Sequence, residues 1–301
     1  MFSYYQNVLE PVMNGPVAGL VEFLRVRGVL KRVVACPTCS VDMVCKPYIR
    51  NKDGMAFRCY NHDCSGYSKY HSIRAESFLN EFSAPLSSII KVCCKWFNNH
   101  TQVQIMTEVN LNRKVVMKII DRLRALCCLD VAENPVKLGG DGIVVQIDES
   151  LFRHKQKYHR GRQPGREIWV FGLADVSFTP AKISLHVVDD RKASTLLPII
   201  ERVCLPGTII NSDEWRAYMG ISDKLRFTHE TVNHSESFVN PVTGTHTQNI
   251  ESTWNTCKYN IKMHKGILGV KLDELLCEFM WKHNTGKRMG LIALFELLRI
   301  Q

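Results

Sequence analysis

Four cysteines constrain this chain more than any other feature: Cys36 and Cys39 in CPTC, and Cys59 and Cys64 in CYNHDC. Between the pairs, YIRNKDGMAFRC has strand, turn and strand character, with Asp53-Gly54 as the hairpin signal. A unit this small cannot hold a core of its own. Two cysteine pairs on tight turns, joined by a hairpin, supply the soft ligands of a tetrahedral zinc. The expectation is a Zn2+ ribbon over residues 33–70, held by Cys36, Cys39, Cys59 and Cys64. The second pair is more widely spaced than the first, so His62 or Cys45 could replace a ligand. Of the twelve cysteines, Cys93, Cys94, Cys127, Cys128, Cys204 and Cys277 fall in apolar helical patterns and read as packing thiols.

Around the ribbon the pattern is helical. Residues 1–32 form an N-terminal helical segment, with a helix over 16–30. Residues 75–132 carry three helices: APLSSIIKVCCKWFNN, TQVQIMTEV opening at a Thr cap, and NRKVVMKIIDRLRALCCL. A short helix, a turn at Asn110 to Asn112 and a longer helix make the layout of a helix-turn-helix, whose second helix enters the major groove. Asn112, Arg113, Lys114 and Lys118 would then face DNA. Any three-helix packing unit could give the same pattern.

NPVKLGGDG, residues 134–142, marks a boundary, beyond which residues 140–301 read as α/β. Strands are expected at GIVVQIDESLF, REIWVFGLADV, AKISLHVVDD and GTIINSD, and helices at ASTLLPIIERVC, EWRAYMGI, around Glu251, and in the tail. Residues 222–248 read as a polar loop. Asp148 closes VVQID and Asp213 closes TIINSD, and strand ends in α/β sheets are where side chains converge on a cleft. With Glu251 from a docked helix, they would offer hard oxygens suited to Mg2+, a pair of which supports in-line attack on a phosphodiester. Glu149, Asp189, Asp190 and Glu214 are equally available carboxylates. Lys258 follows Glu251 by two helical turns, on the same face, where its ammonium could hold a phosphate or simply be solvated.

Basic residues outnumber acidic ones 39 to 29, which favours polyanionic partners, nucleic acid first. Part of that excess is concentrated in FRHKQKYHRGRQPGR, with Lys155, Lys157, Arg160, Arg162 and Arg166 and no acid, a loop that could track a DNA backbone. No run approaches the ~18 apolar residues of a membrane helix. The N-terminus lacks the marks of a signal peptide, so a soluble, intracellular protein without membrane contact is expected.

These motifs, in this order, resemble the Merlin superfamily of DDE transposases and its bacterial insertion-sequence relatives of the ISXO type. The resemblance rests on the CPTC ribbon, the helix-turn-helix, VVQIDES with its RGR loop, NSDEWRAY, VNHSESFVNPVTGTHTQNIESTWNTCK and EFMWKHN. It implies a ribonuclease H-like catalytic domain with a mixed sheet. Asp148, Asp213 and Glu251 would bind two Mg2+ or Mn2+, and Lys258 would hold the lysine position that follows the glutamate. His234 and His246 match family histidines, with DNA contact or support of the glutamate as the two roles the resemblance leaves open, and His246 placed among the DNA-binding residues. Also implied are cutting of inverted repeats, joining to target DNA, and a homodimer or larger assembly on DNA. The site of action would be the nucleus of a eukaryotic host or the cytoplasm and nucleoid of a bacterial one. The rivals are a transposase-derived DNA-binding regulator without catalysis, and a structure-directed nuclease.

Overall fold

The computed structural model describes residues 4–152, 167–233, 240, 244–263, 271–286 and 289–299. They divide into two units, Met1–Leu126 with Thr285–Gln301, and Cys127–Asn284. Among the described residues, no helix is long and apolar enough to cross a membrane.

The first unit opens with a π-helical turn at Tyr5–Leu9, α1 (Glu10–Asn14) and α2 (Val17–Val26). It continues into a four-stranded antiparallel sheet in sequence order: β1 (Val34–Ala35), β2 (Asp42–Pro47), β3 (Met55–Arg58) and β4 (Tyr70–Ser72). The first long strand lies earlier than the sequence suggests, because residues 48–54 form the turn. Tyr48 N–H donates to Gly54 O at 2.8 Å, and Gly54 takes φ +63°. The fourth strand carries the sheet just past residue 70.

Asp53 is more than a turn residue. It and Arg74 are both buried, with Arg74 Nε donating to Asp53 Oδ2 at 2.8 Å and Nη2 to Oδ1 at 2.5 Å. Arg74 also donates to Phe82 O at 2.7 Å and Ala84 O at 2.9 Å, so the guanidinium ties the ribbon turn to the chain that enters the next helix.

That helix, α3 (Leu86–Phe97), buries Ile89, Ile90, Cys93, Cys94 and Trp96. Next, α4 (Gln102–Val109) starts in a capping box, where Thr101 Oγ1 accepts from Gln104 N–H and Gln104 Oε1 from Thr101 N–H. It stops at Asn110 in the left-handed region, φ +53°. Asn112 Oδ1 then accepts from Val115 N–H and opens α5 (Arg113–Glu133), which buries Val116, Ile119, Ile120 and Leu123. The last helix, Leu291–Leu297, belongs to this unit: it packs on α3, and Phe295 meets Phe23 edge-on at 5.4 Å. The sequence alone grouped it with the α/β region.

The second unit is built on a mixed sheet of five strands. They are β6 (Val144–Leu151), β7 (Trp169–Asp175), β8 (Lys182–Val188), β10 (Ile209–Asp213) and β11 (Thr228–Val232), in the order β11-β10-β6-β7-β8. Pairing is parallel through β11, β10 and β6 and antiparallel through β6, β7 and β8. A small parallel pair joins β5 (Leu138–Gly139) to β9 (Cys204–Leu205). Val145 and Ile147 of β6 point into the core under α6 (Ala193–Val203), with Phe171, Leu196 and Ile210. Opposite, α7 (Gln248–Met263) and α8 (Leu272–Trp281) cover Val170, Ala174 and Leu185.

Two expectations are corrected here. EWRAYMGI forms only a 3-10 turn at Arg216–Tyr218, because Asp213 Oδ1 accepts from Trp215 N–H at 3.0 Å and bends the chain before a helix can begin. The polar stretch after residue 222 contains β11, an edge strand whose mostly polar THETV carries no strong apolar alternation.

Removing one partner of a buried ion pair strands the other. Asp53→Ala should therefore lower the unfolding free energy of the protein by about 3–5 kcal/mol, read from urea denaturation.

Candidate active site and metal centre

Asp148 and Asp213 lie at the same level of neighbouring strands. Parallel pairing matches Ile210 with Val145 and Asn211 with Gln146, so two residues further on the aspartates come level, on the same face. Asp148 does not close its strand, as the sequence suggested. The strand β6 runs on to Leu151 against β7, with Asp148 opposite Gly172, because β7 continues to supply backbone partners. What stops short of Asp148 is the ladder with β10, and both carboxylates stand just beyond its end.

Three contacts seat α7 on this spot. A Cβ on Gly172 would lie 2.5 Å from Trp254 Cζ2 and 2.8 Å from Ile250 Cδ1, so only glycine lets the helix approach β7 this closely. Gln146 Oε1 accepts from Asn249 N–H at 2.9 Å and Ile250 N–H at 3.3 Å, satisfying donors that a helix start leaves open. Trp254 Nε1–H donates to Asp148 Oδ2 at 2.9 Å. Glu251 is three residues before Trp254 and Lys258 four after it, so they share one helix face. Glu251 Oε1 accepts from Thr247 Oγ1 at 2.8 Å, and Lys258 Nζ lies 5.5 Å from the centroid of the Phe152 ring.

Electrostatics mark Asp148. Burial, then the charge of Glu149, and further the charge of Asp213 push its pKa up to about 7, against the indole hydrogen bond, which favours the ionised form. Burial lowers the Lys258 pKa, and the charge of Asp148 opposes that shift. Glu149 is raised by burial, with Tyr218 and Arg191 acting the other way. The Arg191 guanidinium is sandwiched between Trp169 at 4.3 Å and Trp215 at 4.2 Å. Carboxylate oxygens of this kind are hard donors, the chemistry that suits Mg2+ or Mn2+.

Among the described residues, one group of three or more His, Cys, Asp or Glu side chains brings its ligand atoms within 4.8 Å of one another: Cys36, Cys39, Cys59 and Cys64. Asp148, Asp213 and Glu251 do not reach that closeness. Cys36 Sγ lies 3.9 Å from Cys64 Sγ, and Cys39 Sγ 3.8 Å from Cys59 Sγ. Four sulfurs at 2.3 Å from a zinc have edges of about 3.8 Å, so the quartet could bind Zn2+. Backbone N–H groups of Thr38 and Cys39 pull the Cys36 thiol down to about 6, and Gly66 N–H donates to Cys64 Sγ at 3.2 Å. The alternatives fall away: His62 packs against Tyr67 at 4.4 Å, and Cys45 is a strand residue opposite Phe57. Cys93, Cys94, Cys127 and Cys204 are buried, while Cys128 and Cys277 are only partly so.

Asn112, Arg113 and Lys114 are exposed at the start of α5. Lys118 is exposed too, but its ammonium donates to Glu81 O at 2.6 Å. Lys155, Lys157, Arg160, Arg162, Arg166 and His234 lie outside the described residues. His246 is built into the start of α7, its Nδ1 3.2 Å from Gln146 Nε2. The sequence reading missed Gln146, Gly172, Trp254 and the Arg191 sandwich. A glutamine two residues before Asp148 on the same strand face, and a glycine inside an apolar strand, were the available signals.

Residues 137–284 match the family model of the ISXO2-like transposase domain. An uncharacterized transposase-like protein of Haemophilus influenzae is 29% identical over 120 residues, 39% of this chain and 93% of that protein. Among solved structures, a chain of the simian T-cell lymphotropic virus intasome in complex with PP2A regulatory subunit B56 gamma aligns at TM-score 0.33 and 16% identity, over 65% of this chain and 68% of that one. A chain of a pre-cleavage Mos1 transpososome aligns at TM-score 0.27 and 7% identity, over 66% and 73%. Scores this low do not establish a common fold.

Two outcomes test the geometry. Gly172→Ala should push Trp254 and Ile250 off β7 and cost about 1–3 kcal/mol, measured as a lowered unfolding midpoint. Cys64→Ser should cut zinc content, and on Co2+ titration its thiolate charge-transfer band should be weaker than that of the wild type, by roughly a quarter for one thiolate of four; a band of wild-type intensity would remove Cys64 from the ligand set.

Proposed function

We propose, from the match of residues 137–284 to the family model of the ISXO2-like transposase domain, that the protein is a DDE-type DNA transposase that cleaves element ends and joins the freed 3′-hydroxyls to target DNA. The observation that carries this reading is the level placement of Asp148 and Asp213 on adjacent parallel strands, beside a helix that presents Glu251 and Lys258 on one face. In this reading the catalytic unit is ribonuclease H-like and of the Merlin type.

Asp148, Asp213 and Glu251 would hold divalent metal, Mg2+ by preference, which would supply activation of a water or 3′-hydroxyl and stabilisation of the leaving oxygen of the phosphodiester. The chain's own residues do the rest. Trp254 fixes the Asp148 carboxylate through one oxygen and leaves the other available. Gln146 holds the first turn of α7, and with it Glu251, against the sheet. Lys258, half-buried and drawn to the Asp148 charge, sets a cation where the scissile phosphate would lie. The zinc ribbon and the helix-turn-helix of α4 and α5 bind the inverted repeats, with Asn112, Arg113 and Lys114 toward the groove. The basic residues Lys155, Lys157, Arg160, Arg162 and Arg166 would add contacts to the DNA backbone. Two ends handled together require two such sites, hence a dimer or larger assembly on DNA.

The test is strand transfer from a labelled inverted-repeat duplex into a plasmid. Joined products should require Mg2+, fall to background in Asp148→Asn and Glu251→Gln, and drop about 100-fold in Lys258→Ala, while all three variants still bind the duplex. Tight duplex binding with no cleavage by the wild type would instead assign a DNA-binding regulator.

A further inference from the structure

One face of the ribbon carries a ladder of planar groups. Arg58 pairs with Val44 on one side and Tyr70 on the other, so these side chains share a face. Tyr48 stacks on Tyr70 with centroids 3.9 Å apart and planes 12° from parallel. The Arg58 guanidinium lies over both Tyr70 and Tyr60, 5.2 Å from each ring centroid. It is held by bonds from Nη2 to Ser68 Oγ at 2.5 Å and from Nη1 to the Tyr70 hydroxyl at 3.3 Å. The order is therefore Tyr48, Tyr70, Arg58, Tyr60.

This ladder is not the ribbon's core. Met43 and Phe57 are buried on the other face, whereas Tyr60 and Tyr70 leave 41% and 42% of their surface to solvent. At the Tyr48–Tyr70 end the face opens into a pocket of about 300 Å3, lined also by Asn51, Lys52 and Asn80. Lys46, Arg50 and Lys69 are exposed along the same stretch. Exposed aromatic rings beside cations suit unpaired nucleic acid, because stacking needs a free base face, which a duplex hides.

We infer that this face binds single-stranded DNA, with bases stacked on the outer ring faces at the two ends of the ladder, Tyr60 and Tyr48, the latter beside the pocket, and phosphates passing Lys46, Arg50 and Lys69. Asn80 offers an amide to a base edge in the pocket, while the Asn51 amide is held in its own turn by Met55 O and Asp53 N–H. The inference rests on the transposase reading only for its source of unpaired DNA, the flank opened when an element end is cut.

The test uses the full-length, zinc-loaded protein with the Asp148→Asn substitution, so that no cutting occurs. Fluorescence anisotropy is read with a labelled single-stranded oligonucleotide and with its duplex. Tyr60→Ala and Tyr48→Ala should each weaken single-strand binding by about tenfold and leave duplex binding within twofold. Tyr60→Phe, which keeps the ring, should bind like the parent, and zinc content of every variant reports that the ribbon has folded. Equal losses on both DNAs would make the face a duplex-docking surface, and no loss on either would make the ladder purely structural; each result overturns the inference. If the parent bound the duplex and the tyrosine variants changed nothing, only this inference would fall. If it bound neither DNA, the transposase reading would fall with it.

Discussion

The second unit depends on a helix lying unusually close to a sheet. Where Gly172 has no side chain, the Trp254 indole occupies the space and reaches across to Asp148. This contact sets the height of α7 over the sheet, and Gln146 sets its position along the axis by closing two open N–H groups at its start. Glu251 and Lys258 have no freedom to choose their own place once these two contacts are made. The same residues that pack the core thus aim the polar groups.

Close packing also shapes the ionisation of the site. Burial and the neighbouring Glu149 make Asp148 reluctant to ionise, while the indole hydrogen bond and the nearby ammonium of Lys258 favour its charge. Beside it, Glu149 is buried next to Arg191, whose guanidinium is clamped between two tryptophans. Trp215 of that clamp follows Asp213 by two residues, and its backbone N–H donates to the Asp213 carboxylate. The segment after β10 is therefore held to the sheet by side chains where the backbone ladder with β6 has ended.

The ribbon of the first unit solves a different problem. Its strands are short and its buried apolar set is small, so cross-links replace a core. One is the thiol quartet, which a zinc ion would join; the other is the buried ion pair of Asp53 and Arg74, whose guanidinium also satisfies two carbonyls of the following segment. With these links inside, the outer face is free to carry exposed tyrosines.

The sequence by itself determined the local elements. The cysteine spacing placed the ribbon, Thr101 opened α4, the turn at Asn110 to Asn112 set α5 apart from it, and apolar alternation placed β6, β7, β8 and β10. These signals are local: caps, turns and periodicity act over a few residues. It also picked out Asp148 and Asp213 as residues that could meet, but not that they would, since the strands are separated by more than sixty positions in the chain and adjacency is a property of sheet order. Nor could it separate Cys64 from His62 or Cys45, find the edge strand β11, give the last helix to the first unit, or show that Gly172, Gln146 and Trp254 govern the site. Those were decided by tertiary packing, because a glycine, a glutamine and a tryptophan acquire their roles only when the surface opposite them is known.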